Sequence, residues 1–347
     1  MNATTLAEWL APRPPGLRMA IEALAGACVE IAAAVADATV SASHGDAGTR
    51  NLHGEAQKKL DLLADAAIAR ALADCASVAA WASEERDNPV LSARHGASGE
   101  YLVAIDPLDG SASAAANLTV GTIFSILKHP FRGTPPGTAG FLQPGRRQCA
   151  AGYALYGPAT LLVLTCGAGT TLFAREPRDG VFRLTDAALA VPAETRMFAI
   201  NASNQRFWEK PVQRYVAECL AGSAGPRAAD FNMRWVGCMA AEVHRVLVGG
   251  GVYLYPRDAR EPVQPGRLRL LYEAAPMAWL VEQAGGAAVT GTQALLDVVP
   301  DSLHEKVSVI LGSRSEVDRI VRYHSDPSEN VHWPLFRERS LFVAPPG

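Results

Sequence analysis

The sequence predicts an α/β fold made of two associated halves. Three observations carry that expectation: stretches whose apolar residues recur every three or four positions, short β-rich apolar runs that alternate with them, and a linker-like segment from Asp186 to Thr195. The expected units are an N-terminal half over 1–190, a C-terminal half over 191–323 and a tail over 324–347. With 347 residues, 49% of them hydrophobic, the chain can bury a sizeable core.

From Gly16 to Val40, Leu17, Ile21, Leu24, Cys28, Ile31 and Val35 keep a helical period while Arg18, Glu22, Glu30 and Asp37 fall between them. The most apolar part, Ala23 to Ala36, is broken by Glu30 and reads as too short to span a bilayer. A polar, glycine-bearing loop, "SASHGDAGTRNLHGEAQ", precedes a second amphipathic helix, "KKLDLLADAAIARALADC". Strands follow at "SVAAWASEE", at "YLVAI", which stops at Asp106, and at "VGTIFSILK". After a Pro/Gly-rich loop come β-rich runs "LLVLT" and "GTTLFA", with "PRDG" as a turn before "VFRLT". The second half offers helices around "EKPVQRYVAECLAG" and "AAEVHRVLVGG" and a strand "GVYLYP". In "APMAWLVEQAGG", Pro276 suits the first turn of a helix and Gly285 or Gly286 its end.

The formal net charge is −3 and Lys/Arg tracts are missing, so nucleic acid is not an expected partner. No export signal is visible, and neither a membrane nor a disulfide framework is expected. The six cysteines lie far apart with no C-x-x-C pair, as suits reduced thiols in the cytoplasm.

Acids gather where strands end and helices begin: Glu84 and Glu85 in "WASEER", Asp106 and Asp109 in "DPLDG", Glu273 in "LLYEAAP", with Glu55 and Asp61 from the first loop and helix. Hard divalent cations take oxygen ligands, and such a group of acids repels itself without them. "DPLDG" is also an ordinary turn composition, and "SEE" an ordinary helix start. The small residues Gly110, Ser111, Ala112 and Ser113 tip the balance toward function, because they let backbone N–H groups approach a phosphate closely.

At this point the chain resembles the class I fructose-1,6-bisphosphatases over roughly residues 17–323. The resemblance rests on "GEAQKKLD", "ASEE", "DPLDGS", "VGTIFSIL", "GYALYGPATLLVLT", "RWVGCMAAEVHR", "GGVYLYP" and "GRLRLLYEAAPMAWLVEQAGG" in this order. It implies a layered α/β/α/β/α sugar-phosphatase fold, usually a homotetramer, and hydrolysis of the 1-phosphate of fructose 1,6-bisphosphate in gluconeogenesis or the Calvin cycle. It implies two or more Mg²⁺ ions per subunit, with Mn²⁺ as a substitute. The metal ligands fall on Glu84, Asp106, the Leu108 carbonyl, Asp109 and Glu273. Glu85 and Asp61 fall on acids that activate and order the attacking water, and Glu55 on an acid of a loop closing over the metals. The 1-phosphate is implied to lie against Asp109, Gly110, Ser111 and Ala112. Asn201, Arg234, Trp235, Tyr255 and Arg267 take the 6-phosphate positions, with Arg234 reaching into a neighbouring subunit.

Several positions depart from the family pattern. Trp235 replaces a Tyr and Arg267 a Lys, while "DGSASAA" stands for "DGSSNID", so that Ser113 and Ala115 replace an Asn and an Asp. Glu100 stands where animal members carry a Lys that helps bind the inhibitor AMP, so insensitivity to AMP is expected. The alternatives are a bifunctional enzyme that also takes sedoheptulose 1,7-bisphosphate, an inositol-monophosphatase-like enzyme, which has no need of "RWVGCM" or "GRLRLLYE", and a non-catalytic sugar-phosphate-binding subunit.

Overall fold

The computed structural model describes residues 3–38, 46–50, 56–93, 98–114, 116–131, 133–260 and 266–326. Glu55, and the expected tail beyond residue 326, lie outside them. Eight strands form the larger sheet, in the spatial order Phe182–Leu189, Thr170–Arg175, Thr160–Thr165, Gln148–Tyr156, Val120–Lys128, Tyr101–Asp109, Val78–Ser83 and Val90–Leu91. Every neighbouring pair is antiparallel except Val78–Ser83 with Tyr101–Asp109, which run parallel. The smaller sheet runs Asn232–Met233, Met197–Ala199, Val252–Tyr255, Val309–Gly312 and Ala287–Val289.

Helices fill the spaces around both sheets, giving the expected α/β/α/β/α layering. Pro15–Ala38 and Lys59–Ala73 cover one face of the larger sheet, where Ile21, Leu24, Cys28, Leu60 and Ile68 meet Val103, Ile105, Phe124 and Leu162. Met239–Gly249 and Ala275–Gln283 lie between the sheets, joining Ile123, Tyr153 and Val163 to Tyr253, Val309 and Leu311. Lys210–Leu220 and Arg314–Ser325 close the outer face of the smaller sheet through Val212, Tyr215, Val317 and Ile320. The Tyr101–Asp109 strand is buried along its whole length, as an apolar run covered on both faces requires.

Four details differ from the sequence expectations. The first long helix spans 24 residues, and its Pro15–Asp37 portion is long and apolar enough to cross a membrane by length and composition, so shortness does not exclude a span. Its buried stripe, Leu17 through Ile31, instead packs in the first core. The Tyr101 strand does not stop at Asp106 but runs to Asp109 through a register shift. The Phe182–Leu189 strand takes the first four residues of the expected linker. A short helix, Leu6–Leu10, was not anticipated; Thr5 and Glu8 cap it reciprocally.

Candidate active site

Parallel pairing brings the first two acids together. Ser83 stands opposite Ile105, and the Glu84 N–H donates to the Ile105 carbonyl at 3.0 Å, so Glu84 and Asp106 leave the same sheet edge side by side. Beyond Asp106 the pairing with Val120–Lys128 shifts, resuming at Asp109 opposite Gly121. Proline suits such an irregularity because it has no N–H to donate to the ladder. The Pro107 carbonyl accepts from the Thr122 hydroxyl at 2.7 Å, and the Leu108 N–H donates to Asp106 Oδ1 at 3.0 Å. The turn that carries both aspartates is therefore tied from within and from the next strand.

Glu273 arrives from the second half. It lies in a single wide turn, Leu270–Ala274, immediately before the Ala275–Gln283 helix, and its Oε2 accepts the Arg269 N–H at 2.7 Å. Such wide turns recur at functional sites. Carboxylate oxygens of Glu84, Asp106 and Glu273 all lie within 4.8 Å of one another. Burial and the neighbouring carboxylates of Glu84, Asp109 and Glu273 hold Asp106 well above the usual carboxylate range. Burial and the charges of Glu84 and Asp109 do the same to Glu273. An oxygen-only, buried and mutually repelling set of this kind fits a hard divalent cation.

Asp109, expected in the same ligand set, stands slightly apart from that trio. Its Oδ2 accepts from the Ala240 N–H at 2.6 Å and from the Cys238 thiol at 3.2 Å. Burial raises its pKa, and these hydrogen bonds oppose the rise. Gly110, with φ +77°, makes the turn into the four-residue Ser111–Ala114 helix, which places Ser111 and Ala112 directly after the acids. Asp61 is buried on the first turn of the Lys59–Ala73 helix, and Glu85 follows Glu84.

The residues expected to hold the remote phosphate form a second group. Asn201 and Tyr255 line one small cleft with Asp258. Arg267 Nε lies 3.5 Å from Asp258 Oδ2, and the Trp235 ring is tilted 5.9 Å from that of Tyr255 while stacking on Tyr253 at 6.1 Å. Arg234 is exposed beside Trp235.

Several residues that matter here were missed by sequence reasoning. Arg269 is buried and pairs with Glu84; an Arg four positions before Glu273 in an apolar run was the available signal. Asp65 accepts from Ser83 at 2.9 Å and forks with Arg86, tying the helix bearing Asp61 to the turn bearing Glu84 and Glu85. Asp258 is held down at about 2, first by its hydrogen bond from Arg260. Cys238, read only as one of six reduced thiols, touches Asp109.

Residues 10–187 match the family model described as the N-terminal domain of fructose-1-6-bisphosphatase, and residues 191–325 the C-terminal domain. The chain belongs to the fructose-1,6-bisphosphatase family. A class 1 fructose-1,6-bisphosphatase of Methylibium petroleiphilum is 59% identical over 349 residues, covering 99% of each chain. The crystal structure of Leishmania major fructose-1,6-bisphosphatase in holo form superposes with a TM-score of 0.88 at 32% identity, over 94% of this chain and all of that one. The apo form of that enzyme gives a TM-score of 0.82 at 30% identity, with the same coverage.

Proposed function

We propose that this chain hydrolyses fructose 1,6-bisphosphate to fructose 6-phosphate and phosphate, with divalent cations held by Glu84, Asp106, Asp109, Glu273 and the Leu108 carbonyl. The convergence of Glu84, Asp106 and Glu273 from three separate segments carries this reading at the site. Family membership and 59% identity along nearly the whole chain support the substrate. An all-oxygen donor set favours Mg²⁺, with Mn²⁺ as a substitute. When bound, the cations neutralise carboxylate and phosphoryl charge and make water acidic enough to act as a nucleophile near neutral pH.

The chain's own groups divide the remaining work. Asp61 and Glu85 order the attacking water and take its proton, and Glu55 assists from outside the described residues. Asp109 and the backbone N–H groups of Gly110, Ser111 and Ala112 face the 1-phosphate, whose phosphorus would bond the water oxygen in line as its bond to the sugar oxygen breaks. Asn201, Arg234, Trp235, Tyr255 and Arg267 grip the 6-phosphate and fix the distance between the two ends of the sugar. The reading keeps a boundary near residue 190, supported by family matches that end at 187 and begin again at 191. It places the enzyme in the cytoplasm, in gluconeogenesis, as a homotetramer in which the exposed Arg234 serves a neighbouring subunit. Insensitivity to AMP is part of it, supported by Glu100, which lies 3.6 Å from Lys128 and offsets its charge.

Phosphate release from fructose 1,6-bisphosphate, sedoheptulose 1,7-bisphosphate, fructose 6-phosphate and inositol 1-phosphate, with and without Mg²⁺, tests the assignment. Mg²⁺-dependent release from fructose 1,6-bisphosphate, with the two monophosphates inert, is expected. Preference for inositol 1-phosphate would overturn it.

A further inference from the structure

Cys238 precedes the Met239–Gly249 helix at its N-cap, yet its side chain makes no capping bond to that helix. The thiol lies 3.2 Å from Asp109 Oδ2 and 3.7 Å from the Asp109 carbonyl, while the Ala240 N–H reaches the same Oδ2 at 2.6 Å. Cys238 is fully buried. A Cβ built on Gly110 would fall 2.6 Å from Cys238 Cβ, so the two segments already touch. Asp109 Oδ2 thus takes two donors from one helix start, and the Met239 N–H of that start donates to the same carboxylate.

The same segment carries Arg234 and Trp235. The Val236 N–H donates to Glu242 Oε1 at 2.5 Å, and Glu242 is fully buried on the helix that Cys238 precedes. Only Gly237 separates Val236 from Cys238, so the Arg234–Trp235 segment and Cys238 are both tied to the start of that helix.

We infer that Cys238 is a positioning residue whose thiol orients Asp109 and couples occupancy of the remote-phosphate group to cation affinity at the acidic cluster. This inference rests on the function proposed above. On this inference a ligand at the remote-phosphate group tightens cation binding, and because coupling is reciprocal the cation tightens that ligand by the same factor.

Fructose 6-phosphate is that probe, and Mn²⁺ binding followed by electron paramagnetic resonance, without turnover, is the readout. Wild type, Cys238→Ser, which keeps a donor, and Cys238→Val, which keeps volume without one, are compared. In wild type, fructose 6-phosphate tightens Mn²⁺ binding. In Cys238→Val, Mn²⁺ binding weakens about 10-fold, as loss of a group supporting a metal ligand does, and fructose 6-phosphate no longer alters it. Cys238→Ser restores both properties to within about 2-fold of wild type, as retention of the donor requires. Should Cys238→Val fail to fold, Cys238→Ala supplies the same comparison. A donor-free variant with wild-type affinity and coupling, or a Ser variant as impaired as the donor-free one, overturns the inference and leaves the proposed function standing. A wild-type protein that binds no Mn²⁺ overturns both.

Discussion

Asp106 and Glu273 are raised by burial and by carboxylate neighbours, and the sign of their effect on stability follows from that. Between the unfolded carboxylate value near 4 and their higher folded values, the native state binds more protons than the unfolded one, so stability falls as pH rises. With EDTA present, the melting temperature is expected to fall as pH rises above the unfolded carboxylate value, and Asp106→Asn to flatten that slope. Thermal circular dichroism checks this; a slope that is unchanged in the variant contradicts it. At the other group, Arg267→Ala removes a guanidinium that can grip phosphate in two places. It is expected to raise KM for the bisphosphate by about 10-fold or more and to leave hydrolysis of a sugar carrying only the 1-phosphate nearly unchanged. A parallel loss on both substrates would remove Arg267 from the remote site. The sequence displayed the acids because they stand next to Gly, Pro and small residues, local signals that need no partner. Arg269 offered only its place in an apolar run four positions before Glu273, and Cys238 offered nothing, since their partners Glu84 and Asp109 lie 185 and 129 residues away.

Among the elements, the turn after Val78–Ser83 has a lock of its own. Asp65 binds both Ser83 and Arg86, and Arg86 is the residue directly after Glu85. Breaking that fork frees the backbone carrying Glu84 and Glu85 without removing either acid. Arg86→Ala is therefore expected to lower kcat by about 10-fold with a smaller change in KM, because misplaced reacting groups cost rate. Steady-state kinetics decide it, and wild-type kcat would show that the turn holds its shape unaided. Helices and most strands were legible because their apolar periods match the faces they bury, as in Ile21, Leu24 and Cys28. The extension of the Tyr101 strand to Asp109 was not, since Pro107 and Gly110 read as a turn while Thr122 and the shifted pairing keep the segment in the sheet. The Phe182–Leu189 strand was mistaken for linker at Asp186 because it is the edge strand of its sheet and is exposed through Thr185–Ala188, so it shows little apolar pattern.

For the whole molecule, the acids of the larger sheet meet Glu273 only because the helices between the sheets bring the second half against the first. That layer order was available from the resemblance and not from periodicity, which is blind to which face a helix covers. If the exposed Arg234 serves a neighbouring subunit, Asp109→Ala chains mixed with Arg234→Ala chains under exchange should recover activity that neither has alone. Mixed oligomers without recovery would confine Arg234 to its own subunit or to no phosphate at all. The most direct test of the account is phosphate release from fructose 1,6-bisphosphate as Mg²⁺ is titrated into metal-free wild type and Asp106→Ala. Wild type should be inactive without the cation and saturate with it, whereas Asp106→Ala, folded by circular dichroism, should stay inactive throughout. Turnover that survives EDTA, or near-normal turnover in Asp106→Ala, would contradict the central claim that the buried carboxylates form the cation site of a phosphatase.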